Sequence, residues 1–143
     1  MGSVGVKVNG VDSDLVVTNK GLRQGDPISP LLLNIVVDVL TRMLIKAASH
    51  NLIKGLCSDL IPGGVICLQY ADDTILFMDK YEPKAANLKM ILTCFERASG
   101  MRINYAKSEL IPLGVEGEEL TNFVNTFGCT VDTFQGFLYT MIN

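Results

Sequence analysis

The stretch LQYADDTILFMD, residues 68–79, sets two adjacent carboxylates, Asp72 and Asp73, between two apolar runs. The flanks VICLQY (65–70) and TILFM (74–78) are apolar on successive residues, which predicts two strands buried on both faces and joined by a tight turn. Two like charges at the tip of such a hairpin repel each other, and a divalent cation relieves that repulsion best. A hard, oxygen-seeking ion such as Mg²⁺ takes one or two carboxylates and completes its shell with water and phosphate oxygens, so the pattern points to phosphoryl chemistry. Aspartate is also a good turn residue, and an exposed turn tolerates both charges. The dipeptide alone leaves the two readings open.

Outward from this hairpin the chain alternates short extended and helical patterns. Upstream, VGVKVNGVDSDLVVTN (4–19) alternates apolar and polar residues around a turn and predicts a β-hairpin. GLRQGDPISP (21–30) then breaks regularity, and Asp26-Pro27 and Ser29-Pro30 each read as a helix cap followed by a first helical residue. From Ile28 the apolar residues recur at 31, 32, 35, 36, 39, 40, 43, 44 and 47, which predicts a largely buried helix. His50 reads as a helix-end residue. Gly63 and Gly64 mark the entry to the first arm of the central hairpin. Downstream, Pro83 opens and Gly100 closes a second amphipathic helix with Ala85, Leu88, Ile91, Leu92, Phe95 and Ala98 on its inner face. MRINYAKSELIPLG (101–114) predicts a strand, followed by a short helix around 117–127 and a strand at 134–140. The order ββ-α-ββ-α-β predicts an α+β layer arrangement: a mostly antiparallel sheet with two main helices packed on one face.

The bulk properties narrow the possibilities. A chain of 143 residues with 48% hydrophobic and 19% charged content can bury a core as one domain. A formal net charge of -3 argues against a free-standing nucleic-acid binder that works through a broad basic surface. The cysteines Cys57, Cys67, Cys94 and Cys129 show no C-x-x-C spacing and no histidine partner, which favours scattered reduced thiols over a zinc or redox site. No leader or membrane span is apparent, so the expectation is a soluble, intracellular protein with no membrane partner. Gly2 invites a myristoylation reading, which Val6 at the position usually taken by Ser or Thr sets aside.

Three segments carry a resemblance. Tyr70-Ala71-Asp72-Asp73 resembles the Y/F-x-D-D signature of the polymerase palm, here YADD. GLRQGDPISPLLLNIVVDVL (21–40) is similar to the motif that precedes that signature in reverse transcriptases of non-LTR retrotransposons and group II intron proteins. GMRINYAKSEL (100–110) is similar to the later segment of the same family, G-L-x-I-N-x-x-K-S/T-E. The segments follow the family's order and spacing, and the similarity covers about residues 5–115. The chain is thereby identified as resembling the reverse transcriptase (RNA-directed DNA polymerase) family. A viral RNA-dependent RNA polymerase shares the D-D hairpin, but GLRQGDPISP favours the reverse transcriptase side.

The resemblance implies a palm-like fold, a nucleotidyltransferase ancestry, Mg²⁺ (or Mn²⁺) as cofactor, and RNA template, DNA primer and deoxynucleoside triphosphate as partners. It makes Asp72 a ligand of the catalytic metal pair, and Asp73 a weaker ligand or electrostatic support. Tyr70 would lie near the primer terminus or incoming nucleotide, the alternative being a strand aromatic in the core. Gln24 and Gly25, with Arg23 and Pro27 beside them, would form the loop that approaches nucleotide and template. A plain helix-entry turn accounts for Gly25 and Pro27 but not for Arg23 and Gln24. Lys107 resembles the lysine that faces the pyrophosphate leaving group, the alternative being a solvated surface residue.

The resemblance also implies residues that are missing. The family's further aspartate, in a motif like D-x-x-K-A-F-D-x-V/I, has no counterpart before Gly21, and Asp12 and Asp14 sit in a hairpin turn without the apolar strand it requires. Fingers and thumb segments are missing as well, and the acidic balance fits the absence of a basic template-binding surface. The expected organisation is a partial palm over 5–115 and a degenerate start of the palm-thumb connection over 116–143. Without the shared ligand the metal would be weakly bound and the chain inactive alone, a truncated fragment. The competing expectations are a non-catalytic binding module that uses the palm sheet as a surface, and a non-functional retroelement remnant.

Overall fold

The computed structural model describes residues 2–18, 25–70 and 73–133. The chain divides into two compact units, Met1–Ile35 and Val36–Asn143. Among the described residues, eight short strands and three helices make it an α+β protein.

In the first unit, β1 (Gly2–Val4) pairs antiparallel with β4 (Val16–Thr18), and β2 (Lys7–Val8) with β3 (Val11–Asp12). Asn9 and Gly10 make the inner turn with φ of 50° and 85°. Two left-handed residues match the right-handed twist of a hairpin, which is why Asn-Gly occupies this position. Between the two pairs the ladder is interrupted, and the Ser13 hydroxyl takes over by accepting from the Val6 amide at 3.0 Å. The expected N-terminal hairpin is therefore present, split in two. Helix α1 (Ser29–Ser49) follows and crosses the boundary between the units.

The core lies in the second unit. Helix α2 (Glu82–Ser99) buries Ala85, Leu88, Ile91, Leu92 and Phe95, spaced so that one face turns inward. It starts beside Pro83 and stops at Gly100, whose φ of 74° lets its amide close on the Glu96 carbonyl. Helix α3 (Gly117–Phe127) adds Phe123 and Phe127, and α1 adds Leu40, Leu44 and Ala47. The central hairpin is formed by β5 (Cys67–Tyr70) and β6 (Asp73–Leu76). Its approach is set by Leu56 and Val65, whose backbones exchange hydrogen bonds of 3.0 and 2.8 Å. Gly64 is required there: its φ is 69° and a Cβ would stand 2.7 Å from the Leu56 carbonyl oxygen. The last pair is β7 (Glu109–Leu110) with β8 (Thr130–Val131), in parallel.

Several expectations are corrected. The described strands form four separate two-stranded pairs rather than one mostly antiparallel sheet with helices on one face. With two to four residues each, they are too short for a continuous sheet surface. Helix α1 is not largely buried: Leu31, Leu32, Ile35, Val39 and Ile45 are exposed. An apolar stripe reports what a helix is able to bury, and within the second unit its buried positions are Leu40, Leu44 and Ala47. Ala98 on α2 is exposed, one turn beyond the last core contact. Residues 101–108 are not strand but loop and turn, because the Glu96 carboxylate accepts from the Ile103 amide at 2.7 Å and the Lys107 amide donates to the Asn104 carbonyl. The strand expected at 134–140 lies outside the described residues.

Leu44 is fully buried, whereas Leu60 is 85% exposed. Urea unfolding should therefore show Leu44→Ala losing about 2–5 kcal/mol of stability and Leu60→Ala staying within about 0.5 kcal/mol of the parent. Equal losses would mean that the core is not where α1 and α2 place it.

Candidate functional site

The β5–β6 register fixes which side chains share a face. Cys67 stands opposite Leu76, Leu68 opposite Ile75, Gln69 opposite Thr74 and Tyr70 opposite Asp73. Directly opposed residues of an antiparallel pair lie on the same face, and successive residues alternate. One face therefore carries Cys67, Gln69, Thr74 and Leu76. Cys67 and Leu76 pack against the core, and Thr74 is buried to 3% exposure. The other face carries Leu68, Tyr70, Asp73 and Ile75, with Leu68 exposed and Tyr70 83% exposed. The expectation of strands buried on both faces is thus corrected, because this two-stranded hairpin has a core to pack against on one side only. Tyr70 is not a core aromatic.

Asp73 opens β6 directly across from Tyr70 and is partly buried. Asp72 and Ala71 lie outside the described residues, as do Arg23 and Gln24. Among the described residues no three His, Cys, Asp or Glu side chains stand close enough to hold a metal ion. Gly25 and Pro27 belong to the first unit, where Gly25 has a φ of 86° with nothing within 4 Å of a would-be Cβ. Glycine is needed there for its left-handed backbone. The Asp26 carboxylate accepts from the Ile28 amide at 2.9 Å and closes the turn into α1, which begins at Ser29 rather than at Pro27. Lys107 is exposed at the end of the Tyr105–Lys107 turn, not after a strand. The structure thus brings together Tyr70 and Asp73 of the expected residues, with Lys107 in the same unit.

The base of the hairpin is anchored by polar contacts. The Phe77 amide donates to the Ile66 carbonyl at 2.8 Å, and the Asp79 amide to that of Lys54 at 3.2 Å. The Asp79 carboxylate receives Lys84 of α2 at 2.9 Å through Oδ2, while its Oδ1 is buried without a hydrogen-bond partner. Nearby, a groove of about 610 Å³ runs between β6, α2, α3 and residues 103–115. Its walls include Leu76, Leu88, Leu110, Phe123 and Tyr105.

Sequence reasoning missed a cluster of which Tyr105, Phe127 and Cys129 also line this groove. The Lys89 ammonium stands 3.2 Å from the centroid of the Tyr105 ring and donates to the Phe127 carbonyl at 3.2 Å. A cation over a ring face is attracted by its quadrupole, more strongly when partly desolvated. The available signal was Lys89 itself, a charge at a helical spacing from Ala85 and Leu92 on the apolar stripe of α2. Burial, then the Glu96 carboxylate, then Cys129 push the Tyr105 hydroxyl up to about 12. Burial raises the Cys129 thiol, opposed by Lys89. The four cysteines are unpaired.

Comparison with known proteins resolves the family. The model of the family "Reverse transcriptase (RNA-dependent DNA polymerase)" matches residues 3–123. An uncharacterized mitochondrial protein of Arabidopsis thaliana is 32% identical over 108 residues, covering 75% of this chain and 87% of that protein. No solved structure matches the chain. The chain belongs to the reverse transcriptase family.

Because its folded-state hydroxyl is raised above the ordinary tyrosine value, Tyr105 stabilises the fold fully below about pH 10 and loses that contribution as pH rises towards 12. Absorbance titration should show one late tyrosinate step near 12 that Tyr105→Phe removes. A late step that persists in that variant would contradict the assignment.

Proposed function

We propose that this reverse transcriptase family member carries, on the β5–β6 hairpin, part of a nucleotidyl-transfer site of the polymerase palm. The observation that carries the reading is the register: Asp73 begins β6 opposite the exposed Tyr70, on the face turned away from the core. A core on one face makes the hairpin rigid, and the other face stays open to substrate.

The donor chemistry fits a hard cation. Asp72 and Asp73 offer carboxylate oxygens, and a partly exposed Asp73 leaves room for the water and phosphate oxygens that Mg²⁺ retains in its shell. When bound, such an ion favours the primer hydroxyl as nucleophile and neutralises charge on the triphosphate. In this reading Asp72 holds the ion and Asp73 supports it. Tyr70 offers an aromatic face to the primer terminus or the incoming base. Lys107 supplies positive charge to the pyrophosphate leaving group. Gly25, with the turn closed by Asp26, presents backbone to nucleotide and template, and Arg23 and Gln24 contact them. RNA template, DNA primer and deoxynucleoside triphosphate are the partners, and the retroelement class is that of non-LTR retrotransposons. Among the described residues no helix is long and apolar enough to cross a membrane.

These 143 residues contain no counterpart of the family's further aspartate motif. Fixing two cations close together depends on a shared ligand, and removing one costs orders of magnitude in rate. The chain alone therefore binds the cation weakly and does not extend a primer.

Two measurements test this. A primer-extension assay with RNA template, DNA primer, deoxynucleoside triphosphates and Mg²⁺ should show no product with these 143 residues alone, and measurable extension would overturn the inactivity. Mn²⁺ added with a deoxynucleoside triphosphate should broaden the amide resonances of Tyr70 and Asp73, and Asp72→Asn should abolish the effect. Broadening that is unchanged in the variant would remove the metal site from the hairpin.

A further inference from the structure

We infer that the groove between β6, α2, α3 and residues 103–115 is a docking site for an extended strand of a separate polypeptide, which pairs with the free edges of β6 and β7. Among the described residues β6 pairs only with β5, and β7 only with β8. Both strands nevertheless line one groove, β6 through Thr74 and Leu76 and β7 through Glu109 and Leu110. Its volume is about 610 Å³, in the range of sites that seat a substantial ligand, and its walls are predominantly apolar.

The backbone parity of the two strands names the occupant. In an antiparallel ladder, opposed residues that exchange hydrogen bonds alternate with opposed residues that do not. The Phe77 amide donates to the Ile66 carbonyl, so by the register Leu68 with Ile75 and Tyr70 with Asp73 are the bonded pairs. Thr74 and Leu76 therefore direct their N–H and C=O groups away from β5. In the parallel pair, the Asp132 amide donates to the Leu110 carbonyl at 3.1 Å, which turns Leu110 toward β8 and its neighbours Glu109 and Ile111 away from it. Thr74, Leu76, Glu109 and Ile111 all line the groove. A strand edge with unpaired donors and acceptors is a template for a further strand, and two such edges border this one site.

The same parity sets the occupant's side chains. Residues opposed across a ladder share a face, so those set beside Thr74 and Leu76 turn toward the core side, where Leu88 and Phe123 line the groove. These positions call for apolar residues. The alternate positions share the outer face with Tyr70 and call for polar ones. A helix satisfies its own backbone and would leave both edges unpaired, and a hydrocarbon ligand carries no donors or acceptors at all. A strand lying between β6 and β7 needs both of its edges free. Every described strand of a second copy already has one edge taken by its pair, so the partner is a different polypeptide with a single extended segment of alternating apolar and polar residues.

Amide hydrogen exchange, read by NMR on the whole 143-residue chain, tests the assignment. The probes are a panel of short synthetic peptides in which Val, Ile or Leu alternates with Thr or Lys, and peptides of the same composition with the apolar residues grouped at one end. Alternating peptides should slow exchange at Thr74, Leu76, Glu109 and Ile111 at least tenfold, and grouped peptides should not. N-methylation of every second peptide amide should remove the protection. Ile111→Pro deletes a donor that β8 does not use, so it should leave circular dichroism unchanged and weaken peptide binding at least tenfold, whereas Ile111→Val binds like the parent. Should the proline variant fail to fold, the N-methylated peptides make the same comparison. Binding by no alternating peptide, equal binding by grouped or N-methylated ones, or protection confined to other amides would overturn the inference. A dimer of the chain in sedimentation that the peptides dissociate would overturn it in favour of a second copy.

Discussion

Side chains alternate across a β-ladder, and in the β5–β6 hairpin that alternation separates structure from chemistry. Thr74, Leu76 and Cys67 turn inward, which leaves Asp73 and Tyr70 on the opposite face by the same register. A slip of one residue would bury Asp73 and expose Thr74, at the cost of desolvating a carboxylate. The core under one face therefore determines what the other face presents. The backbone bonds from Phe77 to Ile66 and from Asp79 to Lys54 carry the same order to the hairpin's base.

Helix α2 ties that base to the rest of the second unit. Its apolar stripe holds the core, and two lysines on its length reach neighbouring segments: Lys84 to Asp79 below the hairpin, and Lys89 to Tyr105 and the Phe127 carbonyl. A desolvated cation over an aromatic face is worth up to about 2 kcal/mol, and hydrogen bonding to a carbonyl adds direction. These contacts hold the Tyr105–Lys107 turn and the C-terminal end of α3 against one helix. The candidate leaving-group lysine and the hairpin thereby share one structural unit.

Much of this was legible in the residues, for physical reasons that differ from element to element. Helix α2 announced itself through Pro83, Gly100 and an apolar stripe, whereas α3 stood in a weaker pattern after Gly117. The hairpin was legible because apolar runs flank a two-residue interruption. Burial was less legible. Consecutive apolar residues look alike whether a strand is covered on one face or two, so Tyr70 and Leu68 could be read inward although both are exposed. The exposed turns of α1 mislead in the same way. Residues 101–108 carry strand-like composition, yet the Glu96 carboxylate and the Asn104 carbonyl take backbone donors that a ladder would have used. Of the proposed site, Tyr70, Asp73 and Lys107 were named from motif alone, while the contact between Lys89 and Tyr105 joins elements distant in sequence and needed the fold.

The account turns on the hairpin tip acting as a cation and triphosphate site rather than as a charged turn. Calorimetric titration of Mg²⁺ into the chain and into Asp72→Asn, each with and without a deoxynucleoside triphosphate, tests this most directly. The account predicts heat of binding that depends on the triphosphate and is lost in the variant. Identical titrations of the two proteins would contradict it, leaving Asp72 and Asp73 as turn residues that record ancestry alone.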